Sequence, residues 1–354
     1  MELRETDRIL IDAVIRRAER LCPDALDLIA VYGSVLTGDT WEKSDLDLAI
    51  VIRDEAGYAL AQGFLLEDTG VGYDLYCTTW EQLEDMAQYR DPQIAKLMDS
   101  EVVYRRNEAA AARLDRLRTE CAERLSSPFS PADLACVRSI LREAEHFYSR
   151  VMTADTLSDM RLNAFGAVRR CMDAVMRAAK RYYRRGARRF LAELRDAGAP
   201  EGSLEKLMAV TAAKNAETLQ TSLTALLRLM RSWESALESR CSAEKRPPTP
   251  EALRGTYEEM CSNWAGKMLL AEQSGDRWLA FASMCCFQSM LDEIGEEIGL
   301  PAFEVLAGYD PDDLAATRAQ FQAQSGQYRD LCVSCGLAVC RYPDAQAFLQ
   351  AYTD

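Results

Sequence analysis

After Asn107 the chain holds almost no run in which β-branched residues alternate with polar ones. Long segments rich in Ala, Leu, Arg and Glu take over, and such segments suit helices rather than strands. Any sheet must therefore come from residues 1–105. Within that region helix and strand signals alternate. "ETDRILIDAVIRRAERL" (5–21) has helical periodicity, whereas "LDLIAVYG" (26–33), "DLDLAIVI" (45–52), "VGYDLYCTTW" (71–80) and "EVVYRR" (101–106) read as strands. Thr79 stands where an N-cap would open a helix over "WEQLEDMAQY". The expected fold class is an α/β N-terminal domain, a mixed sheet with flanking helices, followed by an all-α helical bundle region.

The helical remainder is interrupted at "SSPFSP" (126–131), "DAGAPEG" (196–202) and "EKRPPTP" (244–250). The last is the clearest linker, because proline cannot continue a helix. The expected division is 1–107 as the α/β domain, 108–243 as a substrate-binding bundle and 251–354 as a second bundle. No apolar run approaches the roughly 20 residues that span a bilayer. The charged N-terminus lacks a signal-peptide core, so a cytoplasmic protein with no membrane association is expected. The twelve cysteines read as reduced core thiols. Cys332 and Cys335 form one C-x-x-C without a second pair, and His146 is the single histidine, so a structural zinc site is not expected. A net charge of −14 argues against a nucleic-acid partner and suits a cationic small substrate.

The chemistry concentrates in "YGSVLTGDTWEKSDLDLAIV" (32–51). Asp45 and Asp47 are two apart, so on a strand they share a face while Leu46, Leu48 and Ile50 turn into a core. Two adjacent carboxylates each resist ionising, and a divalent cation removes that conflict. Just upstream, Gly33 allows close backbone approach and Ser34 opens a short helix through "VLTG", an arrangement that can seat an anion. Asp74, among apolar and aromatic neighbours, offers a third carboxylate. A lone D-x-D says little, and Asp310-Pro-Asp312 is another that reads as a helix-start turn. The ordered series of strand, Gly-Ser, short helix, D-x-D strand and later strand acid says much more. The alternative is a strand edge with solvated acids, which would leave Ser34 and Asp74 coincidental.

This series resembles the polymerase-beta-like nucleotidyltransferase superfamily, most closely the bacterial aminoglycoside and lincosamide nucleotidyltransferases. The resemblance covers about 30–105. It implies Mg²⁺-dependent transfer of a nucleoside monophosphate, from ATP or another nucleoside triphosphate, to a hydroxyl of a small-molecule acceptor. Gly33 and Ser34 match the phosphate-binding pair, Asp45 and Asp47 the metal-binding pair, and Asp74 the third acid, as metal ligand or base. Thr37 departs from the pattern, since many relatives carry arginine before the glycine.

Two features of the helical part could contribute. "PADLACVRSILREAEHFYSRVM" (131–152) carries Glu143, Glu145 and His146, of which Glu145 is the candidate general base. "RRCMDAVMRAAKRYYRRGARRF" (169–190) is densely basic and reads first as a solvated, salt-bridged helix, although it could lend cations to a triphosphate or touch RNA. Two rivals to a small-molecule enzyme remain at this level. One is an antitoxin-type or regulatory module that adenylylates a protein. The other is a non-catalytic interaction protein with a relic nucleotide domain. The large helical part favours an enclosed cleft or a homodimer surface over a minimal antitoxin.

Overall fold

The computed structural model describes residues 3–41, 43–241, 245–259 and 263–353. The chain divides into two compact units, Met1–Cys241 and Ser242–Asp354. Among the described residues no helix is long and apolar enough to cross a membrane.

The first unit opens with helix α1 (Glu5–Leu21) and strand β1 (Leu26–Tyr32). A single-turn helix α2 (Ser34–Thr37) precedes strand β2 (Asp47–Ile52). Strands β3 (Gln62–Leu66) and β4 (Val71–Leu75) form a hairpin, and β5 (Cys77–Thr79) leads into helix α3 (Trp80–Ala87). Helix α4 (Ala95–Met98) and strand β6 (Glu101–Arg105) complete the α/β part. The main sheet runs β5-β2-β1-β6, with β2 and β6 antiparallel to β1 and β5 parallel to β2. The mixed sheet expected from the sequence is therefore present. Two details differ. The strand read over 71–80 breaks at Tyr76, so β4 pairs with β3 and β5 with β2; β3 itself had no clear alternating signal.

Alternation along β1 and β2 sorts the sheet's faces. Ile29, Val31, Leu48, Ile50 and Ile52 pack with Leu46 on the α1 side. Leu28 and Val51 pack on the other side with α3, α4 and helix α5 (Glu108–Ser126). Both faces of β1 are covered, which accounts for its nearly unbroken apolar sequence. Asp27 tolerates burial there because Trp80 Nε1 and Arg53 each donate to it at 2.8 Å. Thr79 caps α3 in a reciprocal capping box with Gln82, as its sequence position suggested.

Helices α6 (Pro131–Met152) and α7 (Leu157–Ala178) form a hairpin that packs with α8 (Phe190–Asp196), α9 (Ser203–Ala212) and α10 (Ala216–Cys241) around a third core. The basic segment 169–190 is not one helix. Lys180 adopts a left-handed conformation with φ 51°, and Arg181 N–H donates back to Met176 O at 2.9 Å, which closes α7. Residues beyond Lys180 then run along the α/β part. Tyr182 O–H donates to Asp99 at 3.1 Å, Arg184 pairs with Asp99 at 2.8 Å, and Tyr89 O–H donates to Met176 O and Arg181 O. Arg177, 9% exposed, stacks on the Tyr89 ring at 4.3 Å and pairs with Asp133 at 3.4 Å.

In the second unit, α11 (Pro250–Leu253), α12 (Asn263–Ser274), α13 (Arg277–Glu297) and α14 (Leu314–Ser334) are followed by α15 (Ala345–Thr353). Its core contains Leu253, Met284, Phe287, Phe321 and Tyr328. The Met, Cys and aromatic stripe of 260–300 thus supplies core, with Met268, Met284, Phe287 and Met290 buried. Asp313 caps α14, just after the Asp310-Pro-Asp312 turn. Glu244 of the proline-rich linker and Cys261 lie outside the described residues. The other cysteines are free thiols.

Candidate functional site

Antiparallel pairing of β1 with β2 sets Tyr32 opposite Asp47. The end of one strand and the start of the next therefore lie side by side, which brings the Gly-Ser turn against the D-x-D pair. The approach is close enough to dictate Gly33. Its φ is +78°, and a Cβ there would stand 2.0 Å from Asp47 Oδ2. No other residue type fits both conditions. Asp47 accepts a hydrogen bond from the Ser34 backbone N–H. Helix α2 is a single turn, so the anion seat expected here rests on the turn's backbone and the Ser34 hydroxyl rather than on a helix dipole.

Asp47 begins β2, whereas Asp45 lies in the extended segment just before it. By parity both belong to the face opposite the α1 core. Burial, followed by the neighbouring Asp45 charge, pushes the Asp47 carboxyl up to about 6, against the opposing pull of Lys96 and the Ser34 N–H. Lys96, on α4, stands 5.6 Å from the Tyr32 ring and 4.9 Å from the Tyr76 ring. Burial lowers its pKa, while Asp91, Asp47 and Asp74 raise it.

These groups open onto a cleft of about 540 Å³, within the size range of small-molecule sites. One side carries Tyr32, Gly33, Ser34, Asp45, Asp47 and Lys96. The other carries Arg169, Met172 and Asp173 of α7, then Tyr183, Arg184, Arg185, Arg188, Arg189 and Phe190. Burial raises the pKa of Asp173 against the attraction of Arg169 and Arg170, the latter 3.1 Å away. Tyr183 and Phe190 stack with centroids 4.4 Å apart. A chain with net charge −14 thus concentrates arginine on one wall of one cleft.

Gly33, Ser34, Asp45 and Asp47 come together as the sequence placed them. Asp74 does not join the lining. It is exposed on β4, opposite Gly63 of β3, although its charge is felt at Tyr32 and Lys96. Among the described residues no three acids, histidines or cysteines are gathered as a metal-binding group. Glu145 lies elsewhere, in a 2.6 Å ion pair with Arg231 of α10. The acid that α7 presents to the cleft is Asp173. Asp173 and Lys96 carried no motif in the sequence. The arginines did show as a basic run, but their reading as a solvated helix missed the end of α7 and the turn back toward β1.

Residues 11–102 match the nucleotidyltransferase domain family. This region is a nucleotidyltransferase domain. It marks the chain as a nucleotidyltransferase enzyme, and domains of this kind use a nucleoside triphosphate and a divalent metal. Comparison with curated proteins gives no match. Among solved structures, a nucleotidyltransferase-like protein from Exiguobacterium sibiricum 255-15 is similar over 63% of this chain and 75% of its own, at 13% identity and a TM-score of 0.34. The nucleotidyltransferase domain's own residues fit a divalent cation. Two carboxylates share one side of the sheet edge, one of them is held near 6 by burial and by the other, and a glycine leaves room for its oxygen. Such a pair would hold a divalent cation through carboxylate oxygens.

Proposed function

We propose that this enzyme transfers AMP from Mg²⁺–ATP to a hydroxyl of a small polar acceptor, of the size and polarity of an aminoglycoside-like compound. One observation supports the reading above all. The Gly33-Ser34 turn and the Asp45/Asp47 pair converge, with Asp47 fitted into the space a side chain at 33 would fill, at the mouth of the cleft.

In this reading Asp45 and Asp47 hold the cation, and the Ser34 hydroxyl and the turn's backbone orient the triphosphate. Bound there, magnesium would neutralise phosphate charge and favour departure of pyrophosphate. Asp74 contributes through its field at Lys96 and Tyr32 rather than as a lining group. Asp173 accepts the acceptor's hydroxyl proton, because burial raises its affinity for a proton. The stacked Tyr183 and Phe190 rings offer a flat apolar wall for part of the acceptor or for the base.

The test is transfer of label from α-labelled ATP across a panel of hydroxylated acceptors, antibiotics included. Asp45→Asn should abolish it. Equal labelling by wild type and variant would refute the assignment. Labelling of a co-purifying protein instead of any small molecule would move the acceptor to a macromolecule.

A further inference from the structure

The turn that begins at Gly33 contains no cation, since "GSVLTG" is uncharged throughout. Asp45 and Asp47 add negative charge beside it. A triphosphate seated there, together with one divalent ion, still leaves anionic oxygens to be met. Lys96 stands on that side of the cleft, but the arginines are on the opposite wall, and they are held in an unusual way. Three guanidinium groups converge on one residue, Asp39, in the loop that joins α2 to β2. Arg189 donates twice to the same oxygen, Oδ1, through Nε at 2.8 Å and a terminal nitrogen at 2.6 Å. Arg188 reaches only the Asp39 backbone carbonyl, at 3.4 Å. Arg185 stands 3.7 Å from Oδ2, beyond hydrogen-bonding distance.

The fit is poor on both sides. Asp39 Oδ2 is buried with no hydrogen-bond partner. The Arg185 guanidinium makes no hydrogen bond among the described residues, and all three arginine side chains stay exposed or nearly so. A structural salt bridge would be expected to satisfy both carboxylate oxygens, usually with one arginine in a two-pronged pair. Here one carboxylate oxygen takes both bonds from Arg189, while the other oxygen and Arg185 are left without one. A phosphate chain, with several oxygens per group, can serve both arginines.

Resting on the proposed function above, we propose that Arg185 and Arg189 form the subsite for the outer phosphates of the donor triphosphate, and that Asp39 is a place-holding counter-ion which the phosphates displace. The ligand class is a nucleoside triphosphate or an inorganic polyphosphate. Displacement would also free the loop that carries Asp45, so filling the subsite and setting the metal-binding carboxylate become linked events.

The two sides of this exchange predict opposite effects, which a merely structural ion pair does not. Binding of Mg²⁺–ATP, of AMP, and of tripolyphosphate in the presence of EDTA is measured by calorimetry on the full chain. Arg185→Ala with Arg189→Ala should weaken ATP and tripolyphosphate on the order of tenfold or more and leave AMP unchanged. Asp39→Ala should tighten both polyphosphate ligands, because their competitor is gone, and a misfolded variant could not give that result. If Asp39→Ala weakens polyphosphate binding as the double arginine variant does, the pair is structural and the proposal fails. If wild type binds Mg²⁺–ATP and the arginine variants bind it equally well, only this subsite is overturned. If wild type binds no nucleoside triphosphate at all, the proposed function falls with it.

Discussion

Replacing Asp47 by asparagine should stabilise the metal-free protein at neutral pH while ending its activity. In the folded chain the carboxyl is held near 6, compared with an ordinary value of 3.8. That gap corresponds to about 3 kcal/mol at about 1.4 kcal/mol per pH unit. The sign follows from which state holds the proton. Below about pH 4 both folded and unfolded chains carry it, and Asp47 imposes no penalty. Between about pH 4 and 6 the unfolded chain ionises first, so wild-type stability falls relative to the variant. Above that window the deficit is constant and largest. Asparagine keeps the shape and carries no charge, so its profile lacks this descent. Urea unfolding in EDTA, followed by circular dichroism from pH 4 to 8, gives the comparison, and the second unit is identical in both proteins and drops out of the difference. Parallel profiles, or a variant less stable than wild type at pH 7.5, would refute the view that partial burial and the Asp45 charge make the ionised Asp47 carboxylate destabilising.

Gly33→Ala should cost about 1–3 kcal/mol of stability and nearly all transfer activity, because the methyl group would sit 2.0 Å from Asp47 Oδ2; melting and label transfer test this. Apparent magnesium affinity should fall on the order of tenfold per pH unit below about 6, where Asp47 takes up a proton, and calorimetric titration at pH 5, 6 and 7 would show it. Asp173→Asn should lower the rate of transfer by about 10²-fold or more while leaving ATP binding intact; a loss of ATP affinity instead would place Asp173 on the donor side.

Much of the fold was legible because its signals are local. Strands β1, β2 and β6 were visible as apolar runs, and Thr79 caps its helix where a short-range hydrogen-bond pattern placed the helix start. The Gly-Ser turn and the D-x-D pair were legible for a related reason. They are close in sequence, and an antiparallel neighbour brings such segments together by register alone. Residues outside that neighbourhood were harder. Nothing in "RRCMDAV" distinguishes Asp173 from a solvated helix acid; only packing of α7 against the α/β part presents it to the cleft. Glu145 looked equivalent on its own helix, yet its side chain faces α10 and pairs with Arg231.

The sequence by itself determined a mixed sheet early in the chain, helices after it, and a glycine-bordered pair of carboxylates at one strand's edge. Those features depend on periodicity, backbone preference and residues within twenty positions of each other. The tertiary structure decided what faces that pair. Lys180 turns left-handed at the end of α7, and the chain doubles back to lay Arg184, Arg185, Arg188 and Arg189 along the cleft, where Arg185 and Arg189 meet Asp39 and Arg184 meets Asp99. Those contacts join residues up to 150 positions apart. Charge and helical propensity have no direction at that range until packing supplies one.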